Sequence, residues 1–156
     1  MNDTIRQAEE YITKLFQNNT DGHDAEHSMR VYRTAMAIAE KTDDCDKEIV
    51  ALGALLHDAD DYKLFSTENN ANARSFLGNI GISKEEKEKI IHVINGVSFS
   101  HNKGRHPDTI EGTIVQDADR LDAIGAIGIA RTFALAEDTE IHWMILCSIS
   151  MTNFCC

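Results

Sequence analysis

Three stretches of this chain place imidazole and carboxylate side chains at spacings that could hold a cation. The first is the adjacent pair His57-Asp58, at the end of the apolar run ALGALLHDAD. Neighbours on a helix point roughly 100° apart, but two short side chains can still straddle one ion lying beside it. A helix C-terminus also carries partial negative charge, which suits a cation. The second stretch is GHDAEHSMRV, where His23 and His27 share one face of a helix start. Neutral imidazole is the commonest metal-binding side chain. The third is VQDADRLDAIGAIGIA, which sets Asp117, Asp119, Arg120 and Asp122 inside an apolar helical pattern. A buried carboxylate is costly without a partner. A metal would satisfy one of these acids, and an intrahelical ion pair with Arg120 another. Each stretch taken alone also has a plain reading: a polar helix end, two solvated histidines, an ion pair.

Other residues nearby could serve a substrate. Asp61 and Lys63 follow the doublet. Asp61 could orient or deprotonate a water, and Lys63 could hold a phosphate; the alternative is an exposed ion pair. His23, one turn before His27, could act as an acid or base. His92, in IIHVINGVSF, is either a core histidine or a cleft residue touching phosphate. His101, Lys103, Arg105 and His106 form a basic loop cluster, either solvated charge or a phosphate clamp.

The joint pattern is more specific than its parts. His27, then His57-Asp58, then Asp119, all on helical segments, resembles the HD-domain superfamily of metal-dependent phosphohydrolases. The stretch from His23 to about Thr132 looks like the small bacterial HD hydrolases, through GHDAEHSMRV, ALLHDADDYK and IVQDADRLDAIGAIGIART. The resemblance implies one divalent ion in a central cleft. Its ligands would be His27 (with Val31 completing H-x-x-x-V), His57, Asp58, and Asp119 of Ala-Asp-Arg-Leu, with Asp122 in reserve. Two imidazoles and two carboxylates suit Mn²⁺, Fe²⁺, Co²⁺, Ni²⁺ or Mg²⁺. On an octahedral ion they leave room for water and substrate. The implied reaction is hydrolysis of a nucleotide phosphoester or phosphoanhydride, with nucleoside triphosphate cleaved to monophosphate and pyrophosphate as the subtype. Asp61 and His23 would act in catalysis, and Lys63 and His92 would bind substrate.

Two other readings stay open. Some HD proteins bind two ions bridged by the doublet aspartate. Here His92 with His101 or His106 could serve, giving a cyclic-nucleotide phosphodiesterase or a di-iron oxygenase. A regulatory module that holds nucleotide without turnover is the other. After Ala134 the chain reads LAEDTEIHWMILCSISMTNFCC and departs from the relatives, which usually continue with further helical segments. The expected organisation is an HD-type hydrolase domain over 1–136 and an atypical, poorly packed tail over 137–156.

The elements that must position these residues are helical. Ile5, Ala8, Ile12, Leu15 and Phe16 form one apolar stripe; Ala25, Met29, Tyr32, Ala35, Met36 and Ala39 form a second, opened by Asp21 or Asp24. A third helix is predicted from Ile49 to Leu56, and a short one from Asn70 to Leu77, stopped by Gly78. Ser83 and Glu86 read as a capping box for a helix running to Asn95 and stopped at Gly96. A polar loop spans Ser98 to Asp108, and a last helix runs from near Thr109 to about Ala136. No window alternates with period two. The expected fold is an all-α, HD-domain-like orthogonal bundle of about six helices.

Charge narrows the partners. Lys and Arg total 15 against 26 Asp and Glu, a net charge of -11, which repels phosphate backbones and anionic lipid. An anionic small molecule remains possible if a metal supplies positive charge. The expected partner is a phosphorylated small molecule of nucleotide type, with no nucleic acid polymer and no membrane. The start MNDTIRQAEEYI lacks an apolar targeting core. Cys45, Cys147, Cys155 and Cys156 match no zinc or disulfide spacing, so they read as reduced thiols in a cytoplasmic protein.

Overall fold

Apolar side chains that recur every three or four residues must be turned inward together, and helices that pack side by side do this. The computed structural model describes residues 3–17, 25–62, 64–97 and 106–124. Within them lie α1 (Asp3–Leu15), α2 (Ala25–Ala39), α3 (Lys47–Leu56), α4 (Ala71–Asn79), α5 (Lys84–Val97) and α6 (Ile110–Ile124). No strand occurs among the described residues. The all-α expectation holds.

The hub is α3. Every residue from Ile49 to Leu56 is buried. A helix apolar on all sides has to be enclosed, and α3 packs against α1, α2, α5 and α6. Its neighbours each give one stripe: Ile5, Ala8 and Ile12 from α1, Val31, Ala35 and Ala39 from α2, Ile90, Ile91, Val93, Ile94 and Val97 from α5. Its start is fixed by Asp46, whose carboxylate accepts from Glu48 N and Ile49 N at 3.0 and 3.3 Å. The predicted capping box is present: Ser83 Oγ accepts from Glu86 N at 3.2 Å, and Glu86 Oε2 accepts from Ser83 N at 3.3 Å.

Two predicted stops are corrected. Gly78 and Gly96 lie inside their helices. After α4 the chain turns at Gly81, whose φ of 75° is the left-handed conformation that favours glycine. Gly96 serves packing instead. A Cβ there would meet Pro107 Cβ at 3.4 Å, and one at Gly112 would meet the same atom at 2.7 Å. The proline is thus wedged between α5 and α6, and the missing side chains let these helices close on it. The N-cap candidates Asp21 and Asp24, the end of the last helix, the 137–156 tail and Cys147, Cys155 and Cys156 lie outside the described residues. Among the described residues, no helix is long and apolar enough to cross a membrane.

Gly53 marks the α3–α5 crossing, where an added Cβ would meet Val93 Cγ1 at 2.8 Å. Val93 is β-branched and cannot swing away. Overpacking costs ~1–3 kcal/mol, and the ~1 kcal/mol helix-propensity gain offsets only part of it. Gly53→Ala should lower the urea midpoint with an unchanged m-value; a raised midpoint would mean that the crossing is looser than this.

Candidate metal centre

The doublet sits where α3 gives out. His57 is the C-cap residue, still in the helical conformation, and Asp58 follows in the turn. His57 Nδ1 lies 2.8 Å from the carbonyl of Ala54 on its own helix. A carbonyl only accepts, so Nδ1 carries the proton and Nε2 of the neutral ring bears a lone pair. His27 comes from the first turn of α2, buried beside Ser28. Its Nδ1 lies 2.8 Å from Asp122 Oδ2, which also fixes the proton on Nδ1. Asp119 and Asp122 are one turn apart on α6.

His27, His57 and Asp119 bring donor atoms within 4.8 Å of one another, and Asp58 flanks the two rings. His27 Nε2 lies 3.5 Å from Asp58 Oδ2 and 3.3 Å from Asp119 Oδ1. His57 Nε2 lies 3.4 and 3.8 Å from the same two oxygens. The two rings meet edge to face, with centroids 5.2 Å apart. Direct N–H···O bonds are shorter than this, mostly ~2.7–3.2 Å. Donors each ~2.1 Å from one ion lie ~3.0 Å apart at a right angle and ~3.4 Å apart at the tetrahedral angle. For His27, His57 and Asp119 the spacing and the two inward lone pairs therefore fit a shared divalent cation, with Asp58 beside both rings. The side chains of His27 and His57 are 4% and 3% exposed, whereas those of Asp58 and Asp119 are 16% and 34% exposed. The imidazoles form the floor and the carboxylates the solvent-facing rim.

Around this group the acids have divided uses. Asp122, held in reserve as a ligand, is on the far side of the His27 ring, at Nδ1. Arg30 Nε and Nη2 bond its two oxygens at 2.7 and 3.0 Å. Burial pushes the Asp122 carboxyl up, but hydrogen bonds from Arg30 and His27 outweigh it and hold it down at about 2. The partner of Asp122 is thus Arg30 across the helix interface, while Arg120 and Asp117 are exposed. Asp60, between the doublet and Asp61, caps α4 by accepting from Asn72 N and Ala73 N at 2.9 and 3.0 Å. Asp61 is half-buried in the turn that follows, its backbone N–H bonded to the Asp58 carbonyl at 3.1 Å.

The substrate candidates fare differently. His92 is exposed on α5, and its Nε2 lies 2.6 Å from Asp108 Oδ1. Among the described residues it meets Asp108 and not the cluster, so it is neither a core histidine nor joined to the four donors. His106 is exposed. His23, Lys63, His101, Lys103 and Arg105 lie outside the described residues. Sequence reasoning passed over Arg30, the Ala54 carbonyl and the capping use of Asp60. The visible signal for Arg30 was its place three residues after His27, matching Asp122 three residues after Asp119.

Comparison with known proteins fits this geometry. The HD-domain profile matches residues 24–124, which include His27, His57, Asp58 and Asp119. The chain belongs to the HD-domain family. Bacillus subtilis YpgQ is 40% identical over 140 residues, covering 85% of this chain and 67% of its own. The crystal structure of YpgQ in complex with ADP superposes with a TM-score of 0.72 at 37% identity, covering 87% of this chain and 66% of that one. An HD-superfamily hydrolase from Bacillus thuringiensis gives a TM-score of 0.67 at 33% identity, again covering 87% and 66%. The chain spans about two thirds of the length of these relatives.

A centre of this kind should bind its ion in the folded state alone. Binding at a ligand concentration ~100 times Kd adds ~2.7 kcal/mol of stability. Adding Mn²⁺ to chelator-treated protein should therefore raise the thermal midpoint. Asp58→Ala and Asp119→Ala should lose that rise; an equal rise in both would place the binding elsewhere.

Proposed function

We propose that this HD-domain chain is a divalent-metal-dependent phosphohydrolase acting on a nucleotide phosphoester or phosphoanhydride. The observation that carries the reading is the convergence of His27 and His57 Nε2 with Asp58 and Asp119 oxygens at a solvent-open rim. The relative solved with ADP supports a nucleotide ligand. Cleavage of a nucleoside triphosphate to monophosphate and pyrophosphate is the specific form proposed.

His27, His57, Asp58 and Asp119 would hold the ion. When bound, it supplies Lewis acidity toward a phosphoryl oxygen and makes water acidic enough to attack phosphorus near neutral pH. The protein's own part is positional and electrostatic. The two carboxylates would balance a dication, so the local charge is near zero where a phosphate approaches, although the chain as a whole is at -11. Asp61, three residues after Asp58, would take the proton of the attacking water, with His23 as the second candidate. Lys63 would meet the charge developing on the phosphoryl oxygens. The buried imidazole floor keeps bulk water off one side of the group.

With Mn²⁺ present, the protein should hydrolyse at least one member of a panel of nucleoside tri-, di- and monophosphates, cyclic nucleotides and simple phosphomonoesters. Chelator should abolish the activity. Asp58→Ala should lose both ion and turnover. Lys63→Ala should keep the ion and lose turnover by ~100-fold, the usual scale for removing one transition-state charge contact. Tight nucleotide binding without turnover across the whole panel would instead favour the non-catalytic module. Activity in an ion-free Asp58→Ala variant would sink the mechanism.

A further inference from the structure

The two imidazoles of the centre are oriented by different means. His57 uses the Ala54 carbonyl of its own helix, three residues back. His27 depends on Asp122, 95 residues away on another helix. An imidazole whose Nδ1 proton has no fixed acceptor interconverts between two tautomers and turns about its ring bond. Only the Nδ1–H form presents Nε2 as a donor. A lone aspartate would be a loose anchor, because it can turn as well. Here both oxygens are engaged: Arg30 Nε meets Oδ1 at 2.7 Å, and Nη2 meets Oδ2 at 3.0 Å. That two-pronged geometry is available to a guanidinium and not to a lysine. The side chain of Asp122 is 8% exposed and that of Arg30 is 22% exposed, so water competes little for the fork.

The spacing adds a second consequence. His27 and Arg30 are one turn apart on α2, as are Asp119 and Asp122 on α6. The rung formed by Arg30 and Asp122 therefore fixes the helix register in which Asp119 reaches His27 Nε2.

We infer that Arg30 and Asp122 are the positioning pair of this centre: Arg30 locks the Asp122 carboxylate, and Asp122 holds the His27 ring with Nε2 toward Asp58 and Asp119. This rests on reading the four-residue cluster as an ion site, but the orientation of His27 can be tested with no ion present.

The test has two arms. In the ion-free protein at mildly alkaline pH, long-range ¹⁵N–¹H correlations report the tautomer of each histidine. Wild type should show His27 and His57 as Nδ1–H. Asp122→Ala should turn His27 alone into a tautomer mixture, with His57 unchanged. Asp122→Asn keeps one acceptor oxygen but turns an amide N–H toward Arg30 or His27, so it should restore the His27 signature only in part. In the second arm, Mn²⁺ affinity is measured by calorimetry. Asp122→Ala should bind ~10–100-fold more weakly, the usual effect of removing a partner of a ligating histidine. Arg30→Lys should fall between Asp122→Ala and wild type, and stands in if Asp122→Ala does not fold. A folded Asp122→Ala with wild-type His27 signature and Mn²⁺ affinity overturns the inference. So does simultaneous loss of the His57 signature, which would mean general damage. If wild type takes up no Mn²⁺, the ion-site reading fails, while the His27 signature still decides the positioning.

Discussion

Two imidazole nitrogens can face one point inside a protein only if both rings have surrendered their other nitrogen to a partner. This requirement governs the centre and much of the bundle around it. His57 meets it within α3, through the Ala54 carbonyl. His27 meets it between helices, through Asp122 on α6. The first solution needs an unbroken helix end. The second needs α2 and α6 in one axial register. The close α2–α6 packing, and the partly buried guanidinium–carboxylate pair within it, follow from that need. Such a pair is not an efficient source of stability, because desolvation cancels much of the attraction. Its presence at this interface makes sense as geometry rather than as glue.

The acids of HDADD show how densely one segment can be used. Asp58 faces the two imidazoles of the centre. Asp60 turns the other way and caps α4. Asp61 begins the turn that leads onward. Asn72 bonds the carbonyl of Ala59 at 2.8 Å, and Tyr11 Oη donates to the carbonyl of Asn72 at 3.1 Å. The turn carrying the doublet is thereby tied to α4 and, through Tyr11, to α1. Immediately before α4, Asn69 and Asn70 both adopt positive φ, 56° and 55°, as the chain bends to bring α4 under Asp60. Asparagine tolerates this conformation better than most residues.

What could be read in advance was whatever depends on near neighbours. The apolar stripes gave the helices, and Ser83 with Glu86 gave a start, because both signals lie within one or two turns. The H…HD…D spacing pointed to His27, His57 and Asp119, whose donor atoms lie within 4.8 Å of one another, and to Asp58, which lies beside the two rings. What could not be read depends on which surfaces meet. Gly78 and Gly96 look like helix stops until Pro107 is known to need the space beside Gly96. Arg120 is adjacent to the acids of α6, yet Arg30, 92 residues from Asp122, is the partner. His92 lies between buried Ile91 and Val93, but helical geometry turns it outward to Asp108. A local pattern is blind to all three.

The enclosure of α3 has a consequence for the lifetime of the centre. In most domains the amides of a binding site exchange through small openings of a loop while the core stays closed. Here the helix that ends in His57 is the core, with its neighbours wrapped round it. Fraying of α1 or α4 leaves Ala54 and His57 where they are. Displacing α3 as a whole means breaking its contacts with α1, α2, α5 and α6 together. The backbone that sets the His57 ring therefore sits on a helix enclosed on all sides among the described residues, and the shape of the doublet is coupled to the closing of the core rather than to a loop.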